Sequence, residues 1–163
     1  MATEVTSAEE LDQPILRRRT LTARNEGGMK TAIDCGEYGR FVTDEPVSQG
    51  GTGEGPTPLQ AVLGALCGCE SVTFRRSAQD LGFQYSAIDY EAAFTIDIRG
   101  RMGVAGVRPH FQTVRVQATV CTDEAEEALR KVVDLTERRC PVYNLLRDAQ
   151  VNVEMTWIRR PIR

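Results

Sequence analysis

The chain has 163 residues, 41% hydrophobic and 26% charged, with a net charge of −3. That is enough for one domain with a real core, and the charge balance argues against broad phosphate or nucleic-acid binding. No apolar run approaches the ~20 residues needed to span a bilayer. Residues 1–10 carry no apolar signal-peptide core, so a cytoplasmic protein without a membrane partner is expected.

In chain order, residues 1–14 read as a mobile polar arm and residues 15–163 as a single domain. Loose alternation over 15–24 ends at the turn signal Asn25-Glu26-Gly27-Gly28. Short strands over 29–34 and 39–42 complete an antiparallel meander. The glycine-rich loop that follows, residues 44–56, lacks the lysine of a phosphate loop. Thr57 is expected to cap a helix with Pro58 in its first turn, where a missing N–H costs nothing. Leu59, Val62, Leu63, Leu66, Val72 and Leu81 recur at helical spacing up to Gly82. A second stripe is small: Ala61, Gly64, Ala65 and Gly68. Glycine inside a helix costs about 1 kcal/mol against alanine, and close approach of another helix is the simplest compensation.

Residues 87–98 alternate as a strand, with Ile88, Tyr90, Ala92, Phe94, Ile96 and Ile98 on one face. A loop over 99–109 leads to a second strand carrying Val114, Val116, Ala118 and Val120, giving a long hairpin with one wet face. The loop reads as a mobile connection, its arginines as a possible grip on an anion. Thr122 is expected to cap a second helix, with Asp123, Glu124 and Glu126 in its first turn. Cys140-Pro141 opens a short third helix, and Val151, Val153, Met155 and Trp157 form a last strand. The order β-β-β-α-β-β-α-α-β describes an α+β domain of antiparallel sheet and helices.

Chemistry has few sources. The single histidine, His110, removes any multi-histidine zinc site and leaves little room for Ser-His or Cys-His catalysis. There are five cysteines, Cys35, Cys67, Cys69, Cys121 and Cys140; an odd number argues against a secreted disulfide scaffold and for reduced thiols. Cys67 and Cys69 diverge on a helix, so a disulfide between them would need distortion. Cys140 has the best local case for a low pKa: it stands at a helix N-terminus and follows Arg138 and Arg139. A thiol lowered by about two units becomes mostly thiolate at neutral pH, worth roughly 2.7 kcal/mol. Cys69, in mid-helix, has no such local help. The plain alternative is that all five are small buried hydrophobes, and Cys35 and Cys121 fit that reading best.

Two segments carry a resemblance. Thr43-Asp44-Glu45-Pro46, Gly50-Gly51 and Gly55-Pro56-Thr57-Pro58, followed by Leu63-Gly64-Ala65-Leu66-Cys67-Gly68-Cys69-Glu70-Ser71-Val72-Thr73, resemble the OsmC/Ohr family of osmotically inducible and organic-hydroperoxide-resistance proteins. Cys140-Pro141-Val142-Tyr143-Asn144-Leu145-Leu146 resembles that family's second cysteine motif. The resemblance implies an intertwined homodimer, with a sheet from each subunit wrapped around central helices. It also implies a thiol peroxidase without metal, haem or flavin. By that implication Cys69 attacks the hydroperoxide and becomes a sulfenic acid, Cys140 closes the disulfide, and an external dithiol reduces it. In the organic-hydroperoxide branch a glutamate near the helix start and an arginine from the early strands touch the reactive thiol. Here the matching position is Leu59, followed by Gln60. Arg24 and Lys30 are the nearby basic residues, and Glu54 or Glu70 are the acids that could substitute, each also readable as a solvated or structural carboxylate. The chain is therefore closer to the OsmC-like branch. Two other readings stand beside the peroxidase: a non-enzymatic protein holding a small apolar ligand at the dimer interface, and thiolate metal binding by Cys67, Cys69 and Cys140.

Overall fold

The computed structural model describes residues 13–162. The expected arm, residues 1–14, lies almost wholly outside them. Two compact units divide the chain at Pro58 and Leu59.

The first unit is a three-stranded antiparallel meander, β1 (Thr22–Asn25), β2 (Thr31–Asp34) and β3 (Arg40–Thr43). Its first turn is built by Asn25, whose amide donates to the Gly28 and Lys30 carbonyls and whose oxygen accepts from the Gly27 N–H. Beyond β3, the glycine-rich loop folds around a buried carboxylate. Asp44 accepts from the backbone N–H groups of Glu45, Thr52 and Glu54 and from the Thr52 hydroxyl at 2.6 Å. The Thr52 hydroxyl above all holds the Asp44 carboxyl at a pKa of about 2. Gly51 is dictated by sterics, since a Cβ there would stand 1.8 Å from the Glu45 carbonyl oxygen. The loop glycines thus serve the Asp44 turn.

The second unit begins with α1 (Pro58–Leu81), a 24-residue helix that ends at Gly82, φ +67°. Its sheet holds β4 (Ala87–Ile96), β5 (Phe111–Cys121) and β6 (Asn152–Arg160) in that order. β4 and β5 pair antiparallel, as a hairpin should. β5 and β6 pair parallel, which corrects the all-antiparallel expectation. The reason is the connection: α3 (Glu126–Arg139) and α4 (Pro141–Asp148) separate the two strands, and a helical crossover of this length allows parallel pairing.

Smaller corrections have local causes. Ile98 leaves the strand face because the register breaks between Thr95 and Ile96. It then opens a one-turn helix, α2 (Ile98–Arg101), capped by Asp97, whose side chain accepts from the Arg99 N–H. The 99–109 connection is tied down rather than open: Gly100 packs against Arg108 and Pro109, and Arg108 donates to the Gln150 carbonyl at 2.9 Å. Thr122 does not cap α3. Its hydroxyl donates to the Gln84 carbonyl and accepts from the Glu124 N–H, and the helix starts three residues later than expected, after Ala125.

Two apolar clusters hold this unit. One joins Leu63 and Leu66 of α1 to Val114 and Val116 of β5 and to Tyr143 and Leu146 of α4. The other centres on Phe74, fully buried and stacked on Trp157 with ring centroids 5.3 Å apart. The buried stripe of α1 is Leu63, Leu66, Glu70, Thr73, Phe74, Ser77 and Ala78, whereas Val62, Val72 and Leu81 are exposed. An acid therefore occupies the middle of the core-facing stripe.

Candidate functional site

Cys69 and Cys140 come together at one apolar cluster of the second unit. Cys69 lies one residue from Glu70, at the edge of the buried α1 stripe, half-buried against the Leu63–Leu66 cluster. Cys67 flanks the opposite edge of that stripe and is also half-buried.

Cys140 owes its place to Pro141. Proline disfavours helical geometry in the residue before it and supplies no N–H. α3 therefore stops at Arg139, and Cys140 adopts an extended conformation, φ −71° and ψ 114°, while closing α3 and opening α4. Its side chain turns into the core and is fully buried. Asn144 stitches this junction: its amide donates to the Glu137 and Cys140 carbonyls, both at 2.9 Å. Removing it leaves the Glu137 carbonyl, whose helical donor position is taken by Pro141, short of a partner, while the Cys140 carbonyl keeps the Asn144 backbone N–H. Asn144→Ala is expected to cost about 1–2 kcal/mol, read as a lowered midpoint in urea denaturation.

Cys69 packs against the buried cluster that contains Cys140, and the Glu70 carboxyl and the Cys69 thiol are among the neighbours that raise the Cys140 pKa. Glu70 has no accessible surface, and neither of its oxygens makes a hydrogen bond of ordinary geometry among the described residues. Burial raises its pKa, the Cys140 thiol pulls it down, and Glu137 raises it further. The two arginines that precede Cys140 in the chain are spent elsewhere: Arg139 pairs with Asp80 at 2.6 Å and Arg138 donates to the Asp134 carbonyl. Glu137 itself accepts from the Tyr143 hydroxyl and the Trp157 indole N–H.

The expected low pKa of Cys140 is overturned. Burial pushes it well above the usual thiol range, and the Glu70 carboxyl pushes it further. The Tyr143 backbone N–H, at the start of α4, acts the other way. The helix-terminus effect is therefore present, but it is smaller than desolvation. Burial and Glu70 also raise Cys67, and burial takes the Tyr90 hydroxyl up to about 12.

The other candidates have partners of their own. Glu54 is exposed and pairs with Lys30 at 3.0 Å, and Arg24 pairs with Glu26. Leu59 packs half-buried against the cluster that contains Cys140. Among the described residues, no group of three or more His, Cys, Asp or Glu is placed to hold a metal ion, which leaves Cys67, Cys69 and Cys140 without the geometry of a thiolate metal site. No helix among them is long and apolar enough to cross a membrane. The sequence leaves Glu70 undecided between a solvated and a structural carboxylate; the one signal for burial is its spacing, four residues after Leu66 and four before Phe74. What the cluster offers chemically is a dithiol beside one unpaired carboxyl.

The OsmC-like protein family model matches residues 51–156, which include the cluster. The chain belongs to the OsmC-like family. Its α+β architecture is that of OsmC/Ohr structures. The OsmC-like protein of Mycoplasma pneumoniae superposes with a TM-score of 0.74 at 16% identity, over 91% of this chain and all of that one. An organic hydroperoxide resistance protein OsmC from Legionella pneumophila gives 0.65 at 17%, over 89% of this chain and 99% of that one. The organic hydroperoxide resistance protein OhrB of Bacillus subtilis gives 0.60 at 20%, over 90% and 100%. No curated protein matches by sequence. At these identities the likeness is one of fold, so the chemistry of this OsmC-like chain has to be argued from its own residues.

Proposed function

We propose that this chain reduces hydroperoxides, organic or hydrogen peroxide, through Cys69 and Cys140. The observation that carries the reading is that half-buried Cys69 of α1 packs against the cluster holding the fully buried Cys140 at the start of α4. Cys69 is the thiol an external oxidant reaches. Its thiolate attacks the O–O bond, sulfur gains the distal oxygen as a sulfenic acid, and the alcohol or water leaves with a proton. Cys140 is sheltered from peroxide and placed to condense with the sulfenic acid, releasing water. A dithiol from outside the chain then reduces the disulfide by exchange. The names of the Legionella and Bacillus structures agree with a peroxide substrate.

A homodimer belongs to the same proposal. Gly64, Ala65 and Gly68 form an exposed stripe on α1 beside exposed Val72, where a second copy's helix could approach closely.

The test is thiol counting. Cumene or tert-butyl hydroperoxide should remove two free thiols per chain, and a dithiol should restore them. Unchanged thiols, together with an apolar ligand retained in native mass spectrometry, would select the non-enzymatic binding protein instead, with Leu59 as part of an apolar wall.

A further inference from the structure

Among the described residues of the second unit, Glu70 and Ser77 are buried with unpartnered side-chain oxygens, and of the two only Glu70 can exchange a proton near neutral pH. It lies in the core stripe of α1 with no accessible surface, no cation beside it and no well-formed hydrogen bond to either oxygen among the described residues. A carboxyl in such a place costs stability unless something retains it. Four elements supply the titratable groups around it: Cys67 and Cys69 on α1, Tyr90 on β4, Glu137 on α3, and Cys140 with Tyr143 at the start of α4. Of these, Cys140 is the thiol that the cycle requires to lose a proton while fully buried.

We infer that Glu70 is the catalytic base of disulfide closure, taking the Cys140 thiol proton as Cys140 attacks the Cys69 sulfenic acid. This rests on the two-thiol reading above. The Cys140 S–H bond breaks and its proton passes to a Glu70 oxygen. The electron pair left on the Cys140 sulfur forms the S–S bond, and the Cys69 S–O bond breaks. The departing hydroxide takes the proton back from Glu70 and leaves as water. The Cys69 sulfur is reduced, the Cys140 sulfur is oxidised, and Glu70 is regenerated. The hydroperoxide is the only oxidant required.

The same proximity explains why a thiol can resolve the sulfenic acid despite sitting far from thiolate-forming conditions. Burial disfavours a free thiolate at Cys140, but it also makes the neighbouring carboxylate a better base. Transfer between two neighbouring buried groups avoids forming an isolated buried charge.

The experiment follows closure and sulfenic acid separately, using the full chain, cumene hydroperoxide and dimedone as the sulfenic-acid trap. Wild type should lose both thiols with little adduct. Glu70→Gln, which keeps shape but cannot take the proton, should close the disulfide at least about tenfold more slowly and accumulate dimedone adduct on Cys69. Closure in wild type should speed up as pH rises through the Glu70 titration, and Glu70→Gln should lack that rise. Closure by Glu70→Gln at the wild-type rate would overturn the inference while leaving the two-thiol cycle intact. Thiols that stay reduced in wild type would overturn both. Should Glu70→Gln fail to fold, wild-type closure independent of pH across the Glu70 titration would still refute the role.

Discussion

Cys69→Ser should abolish dithiol-supported peroxide consumption, and Cys140→Ser should stop it after a single oxidation of Cys69. A serine hydroxyl is a far weaker nucleophile at neutral pH than a thiol or thiolate, so a loss of more than about a hundredfold is expected from the first change. The second removes the resolving sulfur. Its first equivalent of peroxide should be consumed and the sulfenic acid should persist, trappable by dimedone and open to irreversible over-oxidation. The asymmetry follows from exposure: Cys69 is half-buried, whereas Cys140 is fully enclosed by α1, β5 and α4. Equal residual activity in both variants, or turnover by Cys69→Ser, would contradict the assignment. Steady-state consumption with a supplied dithiol, paired with intact mass, separates these cases.

The second large effect is on stability. Burial raises the Glu70 pKa above its ordinary 4.5. Well below 4.5 the carboxyl is protonated in both folded and unfolded chains and contributes no pH dependence. As pH rises, the unfolded chain releases the proton first, so the unfolded state binds fewer protons and the folded state is progressively destabilised. The loss is complete once pH exceeds the folded value. Glu70→Gln removes this loss and should therefore be more stable than wild type at neutral pH by about 1–3 kcal/mol. The difference should shrink towards zero near about pH 4. Cys140 has the same sign higher up: its thiol is raised above an ordinary 9.0, so stability falls again as alkaline pH ionises the unfolded thiol. Asp44 has the opposite sign, since a carboxyl held at about 2 loses its contribution as pH falls. It is common to both proteins and cancels in the comparison. Urea denaturation of wild type and Glu70→Gln over this range is the check. A difference that does not change with pH, or a variant less stable at neutral pH, would mean that Glu70 is ionised and satisfied in the folded chain.

Patterns with a strong period were readable in advance. The alternation of Val114 to Val120 and of Val153 to Trp157 gave strands where they are, and the Pro58 start and Gly82 stop bounded α1 correctly. What failed depended on neighbours distant in the chain. Val72 and Leu81 have helical spacing but face outward, because the α1 stripe that meets the sheet runs instead through Glu70, Thr73, Phe74 and Ser77. A polar residue in that stripe breaks the apolar pattern, which is why Glu70 stays undecided between surface and core until the helix is packed. The direction of β6 was equally hidden, since strand alternation carries no sign of orientation and only the crossover through α3 and α4 decides it.

The site divides the same way. Cys69 and Cys140 could be singled out by their motifs, and Pro141 correctly marked a helix start. Their proximity was not derivable from spacing. The acidity of Cys140 was misjudged because local sequence shows Arg138, Arg139 and a helix terminus, while desolvation belongs to the folded core. Arg139 spends its charge on Asp80, 59 positions away. Local rules counted the helix terminus and missed the larger effect of burial.

The central claim is that peroxide joins two particular sulfurs, and peptide mapping under non-reducing conditions tests it most directly. Tryptic cleavage places Cys140 at the start of residues 140–147 and Cys69 within residues 41–75. After one equivalent of hydroperoxide, those two peptides should be recovered joined, with fragmentation assigning the bond to Cys69 and leaving Cys67 free for alkylation. Recovery of Cys69 and Cys140 as separate alkylated thiols, or of a bond from Cys67 to either of them, would contradict the account.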